Sequence, residues 1–213
     1  MDGLSLAGTL SVPDHAAGLV LFVHGSGGSR FSRRNRYVAD VLHRKGLATL
    51  LFDLFTEEEE RIDADDLTLR FDVGMLSERL IAATDAVFAA NLPRGLPVGY
   101  FGGGTGAAAA LIAAARRANG ISAVVSRGGR PDFAAASLYA VRAPTLLIVG
   151  GSDAIGLHVN RDAAPRIKAA HRVAVIPGAT HMFEERGALE EVANLAAEWF
   201  LGHFTEARAK HAS

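Results

Sequence analysis

The chain has 213 residues, 49% of them apolar and 21% charged, which suits one soluble globular domain with a sizeable core. A formal net charge of −1 excludes the basic field that nucleic acid or an anionic membrane would require. With no cysteine there is no disulfide and no thiolate metal site, which fits the cytoplasm. The opening MDGLSLAGTLSVPDHA lacks the charged leader and apolar run of a signal peptide, and no apolar run approaches the roughly 20 residues that span a bilayer.

Residues 4–12 alternate in part and end at Pro13-Asp14, which predicts an edge strand. Gly18–Val23 (GLVLFV) is continuously apolar, as in a strand covered on both faces. After the loop HGSGGSRFSRR, Tyr37, Val38, Val41 and Leu42 form one helical stripe within 35–45. Ala48–Phe52 is a further buried strand, closed by Asp53. Residues 57–72 are acidic without a clean period and read as a solvated excursion. Leu76, Leu80, Thr84, Val87 and Phe88 mark a long helix ending near Asn91.

Val98–Phe101 reads as a strand, followed by a glycine turn and an alanine-rich helix to Asn119, with Gly120 as its stop. Ser122–Ser126, Thr145–Gly150 and His171–Ile176 read as strands, the last two flanking a helix around 161–170. Leu189, Val192, Ala193, Ala196, Trp199 and Phe200 line a final helix. Strands alternate with helices nearly throughout, so the fold class is α/β, a doubly wound and mostly parallel sheet. A single domain over 1–204 is expected, with 205–213 as a frayed tail. In such sheets ligands meet the loops at the carboxyl ends of the strands.

The turn FGGGTGA carries two competing patterns. Gly102-x-Gly104-x-x-Ala107 matches a dinucleotide fingerprint, but the acidic residue expected about 20 positions on is missing near Ser126 and Arg127. Read instead as a nucleophile elbow, G-x-S-x-G, the turn has Gly102 and Gly106 as its small flanking residues and Gly104 in the nucleophile's place. Asp153 and His181 follow the next strands in the order acid then base, each just past a strand end. A histidine can take and return the nucleophile's proton, and a carboxylate fixes its tautomer. The loop His24-Gly25-Ser26-Gly27-Gly28 suits an oxyanion hole built from the N–H groups of Ser26 and Thr105. A shifted frame would make Thr105 the nucleophile, against its β-branched shape. Arg30, Arg127 and Arg130 lie in loops at the same sheet edge and could hold a substrate carboxylate.

LFVHGSGGSR, LFDLFT, FGGGTGAAAA, VSRGGRPD, TLLIVGGSD and PGATHMFEE together resemble the small, capless α/β-hydrolases of the dienelactone-hydrolase type, in their serine-using branch. Relatives typically read FGASTGAAAA at the elbow, which sets their serine on Gly104. The resemblance implies hydrolysis of esters or lactones through an acyl-enzyme, without metal or cofactor, on a small-molecule substrate. Some relatives are fused to a phosphoribosyltransferase domain, of which this sequence carries nothing. With glycine at 104 an inactive or crippled hydrolase is expected; the alternative is a module that binds carboxylates or esters without turnover.

Overall fold

The computed structural model describes residues 5–25, 27–90 and 95–212. Seven strands form one sheet: β1 (Gly8–Ser11), β2 (Leu19–Val23), β3 (Ala48–Phe52), β4 (Val98–Gly103), β5 (Ala123–Arg127), β6 (Thr145–Gly150) and β7 (His171–Ile176). Their order is β1-β3-β2-β4-β5-β6-β7, with β1 antiparallel at the edge and the other pairings parallel. β2, β4 and β6 are buried along their whole length, as their unbroken apolar runs require of strands covered on both faces.

Two helical layers do the covering. On one face α3 (Val73–Ala89), α4 (Thr105–Arg116) and α5 (Ala154–Ala163) pack Leu76, Leu80, the alanines of α4 and Ala163 against Leu21, Tyr100 and Leu147. On the other, α1 (Arg33–Arg44) and α6 (Ala188–Ala212) pack Val38, Leu42, Val192 and Ala196 against Val20, Phe101 and Ile148. The small residues of α4 let it lie close on the central strands. Gly99 does the same on the opposite face, where a Cβ would fall 2.6 Å from the Phe200 ring. No helix among the described residues is long and apolar enough to cross a membrane.

The fold corrects several local expectations. The acidic stretch contains a helix, α2 (Glu57–Asp66), made by its start signal rather than by an apolar stripe. Thr56 accepts the Glu59 N–H while Glu59 accepts that of Thr56, a reciprocal cap. Four glutamates in the first turn favour the positive helix end. Helix α4 stops at Arg116, short of Asn119, and Gly120 instead closes the following turn on the Arg117 carbonyl. The helix expected around 161–170 starts earlier, directly after Asp153. Tyr37 and Phe88 stand exposed beside the stripes assigned to them. Residues 205–212, read as a frayed tail, continue α6. Asn91, the expected end of α3, lies outside the described residues.

Candidate active site

The parallel register brings the strand ends together. Val23 lies beside Gly102, Gly103 beside Arg127, and Gly150 beside Ile176. Residues just past those ends therefore gather at one edge: His24 after β2, Gly104 after β4, Asp153 after β6 and His181 after β7.

Gly104 has φ 55 and ψ −124, a left-handed bend between β4 and α4 that disfavours any side chain with a Cβ. The flanking glycines are fixed by space. A Cβ on Gly102 would fall 2.5 Å from Ala107 Cα, and one on Gly106 would fall 2.4 Å from the carbonyl oxygens of Val23 and His24. At Gly104 the nearest described atom to a Cβ is Gly25 Cα, at 3.8 Å. A side chain there would be strained in backbone but free in space. The Gly104 carbonyl accepts the N–H groups of Ala107 (3.2 Å) and Arg130 (3.1 Å), which pins the bend.

His181 Nδ1 lies 2.9 Å from Asp153 Oδ2. The other carboxylate oxygen of Asp153 accepts the Gly156 N–H at 2.8 Å, capping α5. Asp153 is thus both a helix cap and the partner of a histidine. Its side chain is 12% exposed and that of His181 50% exposed. With Nδ1 turned to a carboxylate, the neutral ring carries its proton there and leaves the Nε2 lone pair free.

The upstream loop is held from behind. His24 is buried; its Nε2 accepts the Leu54 N–H at 3.1 Å, and its Nδ1 donates to the Gly25 carbonyl at 3.2 Å. Burial outweighs the Gly25 carbonyl and the Asp53 charge and pushes its pKa below the ordinary 6.5. In the sequence His24 is hidden within a glycine motif. Its signal was a histidine directly ending a buried strand. Ser26 lies outside the described residues. Thr105 supplies the first N–H of α4, a position without an intrahelical acceptor. Its hydroxyl is buried without a partner among the described residues and does not line the cavity, which removes the geometric basis for a Thr105 nucleophile.

A cavity of about 710 Å³ opens over the turn, lined by Gly103, Gly104, His181, Arg34 and Arg127 among others. Of the three arginines singled out in the sequence, Arg127 alone lines it. Its guanidinium lies against Gly103, and its Nε is buried with no acceptor among the described residues. Burial and the nearby charge of Arg34 lower its pKa to about 10. Arg34 itself pairs with Glu184 at 3.2 Å. Arg30 turns away, donating its backbone N–H (2.7 Å) and its guanidinium to Asp53. Arg130 pairs with Asp132 at 2.6 Å and stacks over Phe133. No cluster of metal-ligating side chains occurs among the described residues.

The dinucleotide pattern sits in the wrong unit. Its turn follows the fourth strand, and Gly102 and Gly106 face Ala107, Val23 and His24 at contact distance, so their missing side chains serve internal packing.

Known proteins share the fold. The chain is 53% identical to a dienelactone hydrolase from Anabaena variabilis ATCC 29413, whose crystal structure superposes with a TM-score of 0.93 over 95% of this chain and 94% of that one. Est1E from Butyrivibrio proteoclasticus shares the fold at 18% identity, with a TM-score of 0.80 over 96% and 97% of the two chains. Proteins named "Putative phosphoribosyl transferase" in two strains of Mycobacterium tuberculosis are 54% identical over 198 residues. That match takes in 93% of this chain but 44% of theirs, so the chain spans less than half the length of these relatives. The sheet is that of an α/β-hydrolase with no apparent cap domain, and the dienelactone hydrolase family model matches residues 6–207. The chain belongs to the dienelactone hydrolase family.

Proposed function

We propose that this chain is a scaffold for hydrolysis of carboxylic esters or lactones, in which Gly104 occupies the nucleophile's place, His181 is the base and Asp153 orients it. The observation that carries this is the 2.9 Å contact between Asp153 and His181 beside a positive-φ turn whose central residue has room for a side chain. In an elbow of this shape a serine oxygen would attack the acyl carbon as His181 Nε2 takes its proton. The N–H of Thr105, joined by that of Ser26, would hold the resulting oxyanion. Glycine has no atom to form the acyl-enzyme, so the covalent route is closed in this chain.

Arg127 is the residue we assign to an anionic group on the substrate. Its Nε is buried against the turn without an acceptor among the described residues, which is costly unless a ligand supplies one. Arg30 and Arg130 act at one remove, holding the loops that frame the turn. The same unpartnered Arg127 favours a second reading, retention of a carboxylate without turnover. The transferase name of the Mycobacterium relatives belongs to proteins much longer than the matched segment, whereas the hydrolase reading concerns the segment itself.

Gly104→Ser tests the reading. Serine in the strained bend costs about 1–3 kcal/mol in the folded state, offset in part because glycine is the more flexible residue when unfolded. Esterase activity should rise by orders of magnitude, with a fluorophosphonate label on position 104. A folded Gly104→Ser protein that neither turns over activated esters nor takes the label would leave the elbow assignment without support.

A further inference from the structure

We infer that the cavity face of Gly104 admits a water molecule between His181 Nε2 and a bound ester, so that the Asp153–His181 pair hydrolyses it in one displacement, with no acyl-enzyme. This rests on the reading of the site given above and adds an activity to it.

Three features support the step. The bend keeps a shape that presents position 104 to the cavity, since Gly102 and Gly106 are locked by backbone contacts on either side. Around a Cβ at Gly104 the described residues leave open space except for Gly25 Cα at 3.8 Å. A serine side chain adds two non-hydrogen atoms; a water molecule occupies about 30 Å³ in the liquid, so either fits the same direction. Finally, His181 is oriented by Asp153, half exposed, and makes no hydrogen bond through Nε2 among the described residues. Both Gly104 and His181 line the cavity, so solvent and ester meet there.

The chemistry balances without a cofactor. Nε2 takes one proton from the water as its oxygen bonds to the acyl carbon. The carbonyl electron pair moves onto oxygen, facing the Thr105 N–H and the positive end of α4. The oxyanion then collapses, the bond to the alcohol oxygen breaks, and Nε2 returns its proton to that oxygen. One water is consumed, and an acid and an alcohol are released; a lactone gives a single hydroxy acid. An untethered water lacks the advantage of a nucleophile fixed to the chain, so turnover should lie at least about 10³-fold below that of Gly104→Ser.

The experiment compares wild type, His181→Ala, His181→Gln and Gly104→Ser with p-nitrophenyl acetate and dihydrocoumarin, following product formation and intact protein mass. Wild type should exceed both His181 variants by about 10²-fold, the usual worth of a general base. It should show no burst and no acetyl adduct, while Gly104→Ser shows both. The glutamine variant, close in size, guards against a folding defect in the alanine variant, and each is checked by thermal melt. Equal rates in wild type and both folded His181 variants, or an acetyl adduct on wild type, overturn the water route. If that happens while Gly104→Ser acylates and turns over, the scaffold reading stands without it. If Gly104→Ser is folded and inert, both fall together.

Discussion

Asp153 is shared between His181 and the start of α5, one oxygen 2.9 Å from the imidazole and the other 2.8 Å from the Gly156 N–H. Replacing it by asparagine or alanine separates the two duties. Asparagine can still cap a helix but cannot hold the imidazole in its working tautomer. In a Gly104→Ser background, Asp153→Asn should cut kcat by about 10⁴-fold with little change in melting temperature. Asp153→Ala should lose the same activity and about 1 kcal/mol of stability as well. Stability and activity falling together in both variants would show that the cap and the His181 contact are not separable.

The glycines of the turn should respond unequally. Gly106→Ala drives a methyl group to 2.4 Å from two backbone carbonyl oxygens, and neither can swing aside as a side-chain tip could. It should cost about 3 kcal/mol or prevent folding. Gly104→Ala meets no described atom closer than 3.8 Å and carries only the backbone penalty of the bend, about 1–3 kcal/mol less the unfolded-state gain. Urea unfolding of the two variants measures the contrast, and a Gly106→Ala protein as stable as wild type would contradict the packing described for the elbow.

Arg127 links binding to stability with opposite signs. Its Nε is buried beside Gly103 with no carboxylate partner among the described residues, and Arg34 adds a repelling charge. Arg127→Met should therefore leave the fold as stable or raise its melting temperature. In a Gly104→Ser background the same change should raise KM for an ester bearing a carboxylate by about 10- to 100-fold, leaving a neutral ester of similar size unaffected. Equal losses for both esters would make Arg127 a structural residue.

Acid should loosen the protein through His24. Its folded pKa lies below 6.5, chiefly from burial, and its Nε2 must stay unprotonated to accept the Leu54 N–H. The unfolded chain takes up a proton as pH drops through 6.5 while the native state resists. The stability tied to His24 is thus fully present above that pH and is lost as pH falls below it. Melting temperature should decline as pH falls from about 6.5 to about 5, and His24→Gln, which does not titrate, should flatten the decline. An unchanged slope would place the acid sensitivity elsewhere. Glu59 acts at lower pH: burial raises its pKa, but the Thr56 N–H and Arg79 more than reverse this, so its share of stability is lost only as pH falls below 4.5.

The strands were legible because burial on both faces leaves an unbroken apolar run. Thr145–Gly150 matches β6 residue for residue in this way, and His171–Ile176 matches β7 although that edge strand exposes His171, Arg172 and Val175. That Asp153 and His181 meet was legible because a parallel sheet converts position after a strand into position in space, whatever the chain distance. Helix α2 was not, because a solvent-facing helix needs no apolar period and is set by a cap formed over only four residues, Thr56 to Glu59. The arginines show the same limit. Arg30, Arg127 and Arg130 look alike in sequence, yet a carboxylate occupies two of them, and such pairing depends on which neighbours the fold supplies. Arg130 contributes through its backbone N–H on the Gly104 carbonyl, a role no residue type announces.

The bend at β4 is held by its neighbours, Gly102, Gly106 and the Arg130 amide, and not by whatever occupies position 104. It behaves as a socket whose fitting can be exchanged. An alcohol, a thiol or a carboxylate placed there would inherit the same histidine and the same helix end, differing in leaving-group strength and in the lifetime of the adduct. Chemistry in this chain is thereby uncoupled from architecture at a single residue. One scaffold could then be screened as a hydrolase, an acyl trap or a reversible covalent receptor by changing nothing but the head that the turn presents.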